Sequence, residues 1–408
     1  MQNDVAVAPP TAGWSGPRFQ CLDGLRALAA IAIVLTHAAS YSHTYKGVVG
    51  DYLSQLDTAV AVFFGLSGFL LYRPFALAHQ AQRASGSVRH YALRRLTRIY
   101  PAYWIALAVF MYVLGSLRFQ GVANTVFGFS LLQLYHSGTI LQGLPQAWTL
   151  CVEITFYAFV PLYAFVIARW ARRNPFRTEL VGIGLLTAIG IAVEVQRELG
   201  GHPQGWTVGP LYLPLFASGM LLAVLSARQQ LQGGVAWLDR VGKYAFAGVV
   251  IAVLSYACII EVVGIHITTS PSHGQFIARY FLEIPLVLAL LVPVTFGTRS
   301  RGVVRGFLSS PIMVFLGTIS YGIYLWHFPA LVIVHDRMLG LGHHQGRLTV
   351  VFVLALGLTL VFATASWYLV ERPLLRWTQG RRRQRPSAGE RTEADAEVEP
   401  PVALEATN

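Results

Sequence analysis

The sequence predicts an all-α polytopic membrane protein, a bundle of about ten transmembrane helices. Its 408 residues are 54% hydrophobic and only 12% charged, whereas about a quarter of the residues of a soluble domain are charged. Ten apolar runs have about the length that a helix needs to span the hydrocarbon core of a bilayer. The runs lie at residues 20–40, 58–76, 98–117, 147–168, 180–197, 209–227, 243–264, 277–297, 312–334 and 348–370.

The distribution of basic residues predicts that both termini are cytoplasmic. With that orientation, the cytoplasmic side holds 24 of the 31 lysines and arginines, the opposite side holds six, and Arg26 lies within a span. This asymmetry follows the positive-inside rule. It also explains the net charge of +12 as a topological signal, which argues against nucleic acid as a partner. Residues 1–17 lack the basic start and apolar core of a cleaved signal peptide.

Composition divides the chain into three parts. Residues 1–18 are rich in Pro, Ala and Gly, which predicts a flexible cytoplasmic segment. Residues 19–377 are predicted to form the membrane domain. Residues 378–408 have the composition of a disordered cytoplasmic tail. The apolar run at residues 122–135 is too short to span and predicts an interfacial or re-entrant segment. No internal repeat is visible, which disfavours a transporter built from repeated halves. The three cysteines have no spacing typical of a metal site or a disulfide.

The first span carries a stripe of ionisable residues. Arg26 and His37 are eleven positions apart, so they lie on one face of a helix, about 16 Å apart along its axis. Asp23 falls near the same stripe and is the expected partner of Arg26. Ionisable groups inside a span are costly and mark functional sites. The alternative for His37 is a structural hydrogen bond to a neighbouring helix.

The fourth span contains Glu153, at a predicted depth similar to that of His37. A carboxylate beside an imidazole fixes its tautomer and raises its basicity, as a general base requires. The alternative is that Glu153 pairs with another buried cation or contacts a helix in its protonated form. Trp148 and Tyr157 are interpreted as interface and packing aromatics.

Three arginines lie at the inner end of the third span: Arg94, Arg95 and Arg98. As a topology signal they need no further role. In the first turn of a helix, however, three guanidinium groups beside the positive end of the helix dipole would suit a phosphorylated cytoplasmic donor. The spacing places Arg94 and Arg98 on one face.

Two further segments are weaker candidates. Ser67 lies between two glycines in the second span, where small residues allow close helix approach. The ninth span carries Tyr321, Tyr324 and His327, of which His327 is a second candidate for proton handling or acceptor binding. At the inner end of the last span, Glu371 is expected to form a structural ion pair with the third-span arginines.

Taken together, six segments resemble, in order, the signature segments of the acyltransferase 3 family. This family consists of membrane-bound O-acyltransferases of bacterial cell envelopes, polysaccharides and some antibiotics. Arg26 and His37 match the Arg-x10-His pair of the family, and Glu153 ends its Trp-x-Leu-x-x-Glu motif. The six segments are LDGLRALAAIAIVLTHA, VFFGLSGFLLYRPF, RRLTRIYPAYW, AWTLCVEITFYAFVPL, SYGIYLWHFP and WYLVERPL.

The resemblance implies a function and a role for these residues. The donor is expected to be an acyl-CoA, most simply acetyl-CoA, whose phosphates meet Arg94, Arg95 and Arg98 while its arm passes Arg26. The expected acceptor is a hydroxyl of a cell-envelope glycan, a glycolipid or a glycosylated small molecule, from which His37, oriented by Glu153, removes the proton. A route through an acylated side chain is the alternative. No metal is implied.

The resemblance also implies a setting. The chain resembles the stand-alone type of the family, without a fused hydrolase-like domain, and a multi-pass protein of the bacterial inner membrane is expected. Two other classes of function stay open at this point. One is a transporter or flippase of a lipid-linked or glycosylated substrate, and the other is a non-catalytic membrane partner.

Overall fold

The computed structural model shows an all-α protein, as the sequence predicts. It describes residues 19–42, 44, 47–115, 119–136, 142–171, 173–200, 208–232, 236–264, 272–296, 302–341 and 346–383, and this part of the chain contains helices and no strand. The predicted flexible segment at residues 1–18 and most of the predicted tail lie outside the described residues. The last helix continues to Arg383, past the predicted end of the membrane domain at residue 377.

The first half of the described chain forms eight α-helices. They are α1 (Gln20–Tyr41), α2 (Gly47–Ser54), α3 (Ala59–Gln80), α4 (Val88–Ala108), α5 (Gly121–Phe129), α6 (Ala147–Trp170), α7 (Pro175–Gly200) and α8 (Val208–Leu211). A 3-10 turn, Gln55–Thr58, leads into α3, and a π-helical turn, Val109–Val113, extends α4.

The second half forms nine further helices. They are α9 (Leu213–Gln232), α10 (Ala236–Gly242), α11 (Ala245–Glu261), α12 (His273–Thr295), α13 (Val303–Leu308), α14 (Pro311–Thr318), α15 (Ser320–Val332), α16 (Leu348–Ser366) and α17 (Arg372–Arg383). π-helical turns extend α15 through Ile333–Met338 and α16 through Trp367–Glu371.

Within the described residues, seven helical segments are long and apolar enough to cross a membrane, and an eighth is counted if α14 and α15 form one span. The chain is therefore a multi-pass membrane protein. The remaining two of the ten predicted spans, at 209–227 and 243–264, coincide with α9 and with the shorter apolar helix α11. The cytoplasmic orientation of the termini stays a prediction from the charge distribution.

The predicted ninth span is broken in the middle. Its two parts, α14 and α15, meet at an angle of 68°. Next to the break, the Thr318 hydroxyl donates to the Val314 carbonyl at 2.8 Å, a bond from residue i to residue i−4 that often bends a helix. The bend lets α1 pack against both parts and points the first turns of α15 into the bundle.

The segment that precedes α6 is fastened to α4 by aromatic side chains. Tyr103 and Trp104 donate to the carbonyls of Gly128 and Phe129, at 2.8 and 2.9 Å. Tyr100 donates to the carbonyl of Ser130 at 2.9 Å. These bonds satisfy backbone oxygens at the end of α5. The run at residues 122–135 is therefore a short helix bound to α4, too short to span.

Helix α3 lies at the centre of the bundle, with its most extensive contact to α9. A Cβ atom added at Gly219 in α9 would collide with the backbone of Gly65 and Phe69, and one added at Gly68 would collide with the backbone of Phe216. Small residues allow helices in a membrane to approach this closely, so that dispersion contacts between backbones hold them together.

This contact yields a prediction about stability. Gly219→Ala forces α3 and α9 apart, so we expect the free energy of unfolding to fall by about 1–3 kcal/mol, the usual cost of overpacking. The measurement is thermal unfolding in detergent with a thiol-reactive dye, since Cys21 and Cys151 are free and buried.

The matched control is Gly184→Ala, because nothing lies within 4 Å of a Cβ atom at that exposed position of α7. It should keep or raise the midpoint, since Ala favours helix over Gly. Equal losses in the two variants would contradict the packing argument.

Candidate active site

A central cavity collects most of the residues that the sequence predicts to be functional. Five helices supply its walls: α1, α3, α4, α6 and α15. The lining residues are Arg26, Val60, Phe63, Phe64, Arg95, Arg98, Ile99, Thr149, Leu150, Glu153, Tyr157, Ser320, Tyr321 and Tyr324.

Glu153 is the acidic residue of this cavity. Its Oε1 accepts a hydrogen bond from the Ser67 hydroxyl at 3.1 Å, and its Oε2 accepts one from the Tyr157 hydroxyl at 2.7 Å. Tyr157 lies one turn further along α6, so the i,i+4 spacing brings the two side chains together. Ser67 therefore contacts the carboxylate directly, beyond the close helix approach predicted for its segment.

Three arginines give the cavity an excess of positive charge. Arg26, Arg95 and Arg98 line it together with one carboxylate. The Arg95 guanidinium lies over the Tyr157 ring, 5.8 Å from its centroid, which stabilises a buried cation. Arg98 interacts electrostatically with both Arg26 and Glu371. Such a set of guanidinium groups is suited to bind an anion with several oxygens.

The position of the arginines corrects one expectation. They do not lie in the first turn of a helix, because α4 begins at Val88, where Ser87 accepts a bond from the His90 amide. The helix therefore extends beyond the apolar run that marked its start in the sequence, and its dipole contributes little at Arg98. Arg95 and Arg98 line the cavity, whereas Arg94 is not among its lining residues. A role for Arg94 in donor binding stays a prediction.

Arg26 has two features of a ligand-binding group. Its Nε is buried and, among the described residues, has no hydrogen-bond partner. A buried donor without a partner costs about 1–3 kcal/mol, and such groups are often satisfied by a ligand or water. Asp23, the partner predicted for Arg26, interacts with it electrostatically.

His37 lies away from this cavity, and the pairing with Glu153 predicted from the sequence is not observed. Its Nδ1 bonds to the carbonyl of Ile33 at 2.8 Å. Glu153 lines the same cavity as Arg26, and its two carboxylate oxygens accept hydrogen bonds from Ser67 and Tyr157. Since a carbonyl can only accept, Nδ1 carries the proton and Nε2 is the basic nitrogen.

The ring that faces His37 is His327 on α15. The two ring centroids are 5.0 Å apart. His327 is fully buried, its Nδ1 bonds to the Tyr324 carbonyl at 2.6 Å, and its Nε2 has no hydrogen-bond partner within the described residues. The two imidazoles thus form a histidine pair in which each Nδ1 is held by a backbone carbonyl.

Tyr324 connects the histidine pair to the central cavity. Its ring centroid lies 5.7 Å from that of His327, and its hydroxyl bonds to the Thr149 hydroxyl at 2.6 Å and to the Gln146 carbonyl at 2.8 Å. Thr149 lies one turn before Glu153 in α6. A polar path therefore runs from the arginines through the Glu153 level to the imidazoles.

Some members of this path were not found from the sequence. Thr149 and Gln146 were not predicted, although the i,i+4 relation of Thr149 to Glu153 places Thr149 and Glu153 on one face of α6.

Tyr321, which lines the cavity, donates to the Ile99 carbonyl at 2.7 Å. Glu371 is buried and accepts from Ser366 at 3.2 Å. In the described part of the chain, no group of three His, Cys, Asp or Glu residues is arranged to hold a metal ion.

Most of the chain is similar in sequence to known proteins. A family model described as an acyltransferase domain matches residues 19–368. The peptidoglycan O-acetyltransferase OatA of Listeria monocytogenes is 24% identical over 370 residues, which cover 86% of this chain and 55% of the relative. The O-acetyltransferase OatA of Staphylococcus aureus is 23% identical over 373 residues, which cover 86% of this chain and 56% of the relative.

The chain thus spans a little more than half the length of the curated relatives it matches. No solved structure matches it.

The hydrogen bonds of Glu153 give a second prediction about stability. Glu153→Ala leaves two hydroxyl groups without an acceptor and removes the only carboxylate that lines the cavity, so we expect a loss of about 1–3 kcal/mol. Glu153→Gln keeps one acceptor oxygen and should lose about half as much. Thermal unfolding in detergent measures both, with Glu261→Gln at the exposed end of α11 as control. Equal midpoints in all three variants would show that these bonds do not stabilise the fold.

Proposed function

The chain belongs to the acyltransferase 3 family, and we propose that it transfers an acetyl group from acetyl-CoA to a hydroxyl of a cell-envelope glycan or glycolipid. The observation that carries this proposal is the central cavity with three arginines and one carboxylate. Its positive charge matches the phosphates of an acyl-CoA. The choice of acetyl and of a glycan acceptor is supported by the names of the two relatives.

Donor binding is assigned to the arginine side of the cavity. Arg95 and Arg98 hold phosphate oxygens through paired N–H donors. The remaining arm of the donor extends along the cavity past Arg26, whose Nε has no partner among the described residues, and its thioester lies at the Tyr324 end of the cavity, beside the histidine pair. On the charge distribution of the loops, the donor enters from the cytoplasm, and membership of the family supports the inner membrane of a bacterium as the location.

We assign the transfer of the acetyl group to the region beside the histidine pair. The His37 Nε2 takes the proton of the acceptor hydroxyl, whose oxygen attacks the thioester carbonyl carbon. The carbon–sulfur bond then breaks, the acyl–oxygen ester forms, and the proton passes from the imidazolium to the departing thiolate. The carbonyl of Ile33 holds Nδ1 during both steps, and His327 supplies the neighbouring imidazole. Glu153 positions Tyr157 and balances part of the arginine charge.

This assignment predicts that the donor requirement depends on the cavity arginines. Arg98→Gln removes a charge-assisted hydrogen bond worth about 1.5–3 kcal/mol, so we expect the KM for acetyl-CoA to rise by about tenfold to a hundredfold. The measurement is CoA release by the purified protein in detergent with envelope glycan as acceptor.

Arg89→Gln is the matched control for Arg98→Gln, because it removes the same charge from the exposed first turn of the same helix, outside the cavity lining. It should change the KM much less. Equal shifts in the two variants would point to overall charge rather than to a phosphate site, and no shift in Arg98→Gln would reject the site.

A second prediction concerns the proton acceptor. His37→Ala should lower kcat for acetyl transfer by about 10²–10⁴-fold, the usual contribution of a general base, while equilibrium binding of acetyl-CoA stays within about twofold. Mass spectrometry of the acetylated product measures the transfer. His136→Ala, after α5 and outside the cavity lining, is the control and should keep full activity.

Unchanged transfer in His37→Ala would remove His37 from the mechanism. A transporter or flippase would instead move its substrate across the membrane without consuming acetyl-CoA, in the wild type and in His37→Ala alike.

A further inference from the structure

A second cavity lies beside the central one. Val60 and Phe64 of α3 line both cavities and form the wall between them. The second cavity combines charged groups with aromatic rings. Its lining residues are Asp57, Val60, Ala61, Phe64, Trp148, Glu194, Arg197, Leu211, Tyr212, Leu215, Phe276, Arg279, Tyr280 and Glu283.

The charged groups of the second cavity are paired with one another. The Arg279 guanidinium donates to Asp57 at 2.8 Å, to Glu283 at 2.9 Å and to Gln55 at 2.8 Å. Arg197 pairs with Glu194 at 2.8 Å. Three carboxylates against two arginines leave one negative charge in excess, whereas the central cavity has an excess of positive charge. The second cavity is therefore unsuited to an anion such as a phosphate.

The aromatic rings give the second cavity flat apolar faces. Trp148 and Tyr212 lie with their ring centroids 5.7 Å apart, and Phe276 and Tyr280 lie on the α12 side. A sugar ring has apolar C–H faces that pack on such rings, and hydroxyls that donate to carboxylates and accept from guanidinium groups. A largely apolar pocket with a few placed polar groups is typical of a binding site for a small molecule, and charged partners make its hydrogen bonds strong.

The second cavity lies at the end of the bundle towards which α1 runs. Its residues come from the turn before α3, the first turns of α6 and α12, the start of α9 and the last turns of α7. Because consecutive spans alternate in direction, these segments meet at the end of α1 that carries His37. Asp57 interacts electrostatically with His37, which agrees with this placement.

We propose that the second cavity binds an uncharged glycosyl unit of the acceptor and presents its hydroxyl, past Val60 and Phe64, to the Tyr324 end of the central cavity, beside the histidine pair. This proposal rests on the proposed function for its chemistry. An anionic sugar unit is disfavoured because the cavity's carboxylates outnumber its arginines, whereas an uncharged unit meets no such repulsion. The anionic donor then lies beside the arginines of the central cavity, and the neutral sugar lies beside the carboxylates of the second cavity. The opposite charge of the two cavities keeps the two substrates in separate sites.

The test uses the full-length protein in detergent with two sugar probes of equal length. Chitotetraose is the neutral probe and tetragalacturonate is the anionic one. Equilibrium dialysis without acetyl-CoA measures their binding, and CoA release with chitotetraose and acetyl-CoA gives a KM for each substrate. We expect chitotetraose to bind at least tenfold more tightly than tetragalacturonate.

Two variants locate the binding. Glu283→Gln and Asp57→Asn each weaken a hydrogen bond to a sugar hydroxyl, so the Kd and the KM for chitotetraose should rise about three- to tenfold, with the KM for acetyl-CoA unchanged. Asp57 has a half-exposed side chain, so Asp57→Asn is expected to fold even if Glu283→Gln does not. Glu261→Gln is the control, because Glu261 ends α11 outside the cavity lining, and it should alter neither constant.

The two proposals fail in different ways. In one outcome, chitotetraose binds, both variants weaken that binding, and the wild type releases no CoA. This outcome would support the sugar cavity and reject the proposed function. CoA release with a chitotetraose KM that neither variant changes, or a rise in the KM for acetyl-CoA instead, would overturn the sugar cavity and keep the proposed function. Tighter binding of tetragalacturonate, or no binding of either sugar, also overturns it.

Discussion

The cost of placing charge inside a membrane is the constraint on which the rest of this structure depends. A lone guanidinium or carboxylate at this depth is strongly unfavourable, so the helices must bring opposite charges and hydrogen-bonding groups together. Glu153 meets this requirement through Ser67 and Tyr157, and Arg95 through the faces of aromatic rings. The resulting centre is polar, enclosed by five helices and unbalanced towards positive charge, which is the electrostatic setting that an anionic donor requires.

Helix α3 separates two chemically different cavities. Its close contact with α9, where Gly219 meets the backbone at Gly65, fixes the wall formed by Val60 and Phe64. Because the same two side chains line both cavities, occupants of the two cavities would lie near each other while their binding groups remain apart. Group transfer gains most from such positioning, because the reacting atoms no longer have to find each other by diffusion.

The histidine pair changes the interpretation of His37. A carboxylate is not needed to fix the tautomer of His37, since the carbonyl of Ile33 in its own helix does so. His327 is held in the same way by Tyr324. Backbone carbonyls carry no net charge, so they orient an imidazole in an apolar region at a lower electrostatic cost than a buried carboxylate. Glu153 instead lines the cavity of the arginines, where its negative charge balances part of theirs.

The sequence alone determined the all-α membrane fold, because hydropathy and loop charge depend only on the order of residues along the chain. It also determined that Arg26, Glu153, Arg95 and Arg98 are functional candidates, since an ionisable residue in a span needs a partner. Only the tertiary structure decided which residues meet. The bend between α14 and α15, which no apolar run reveals, places His327 beside His37, and the start of α4 at Val88 sets which arginines enter the cavity. Helix depth and rotation depend on side-chain packing between distant segments, and periodicity within one helix cannot specify them.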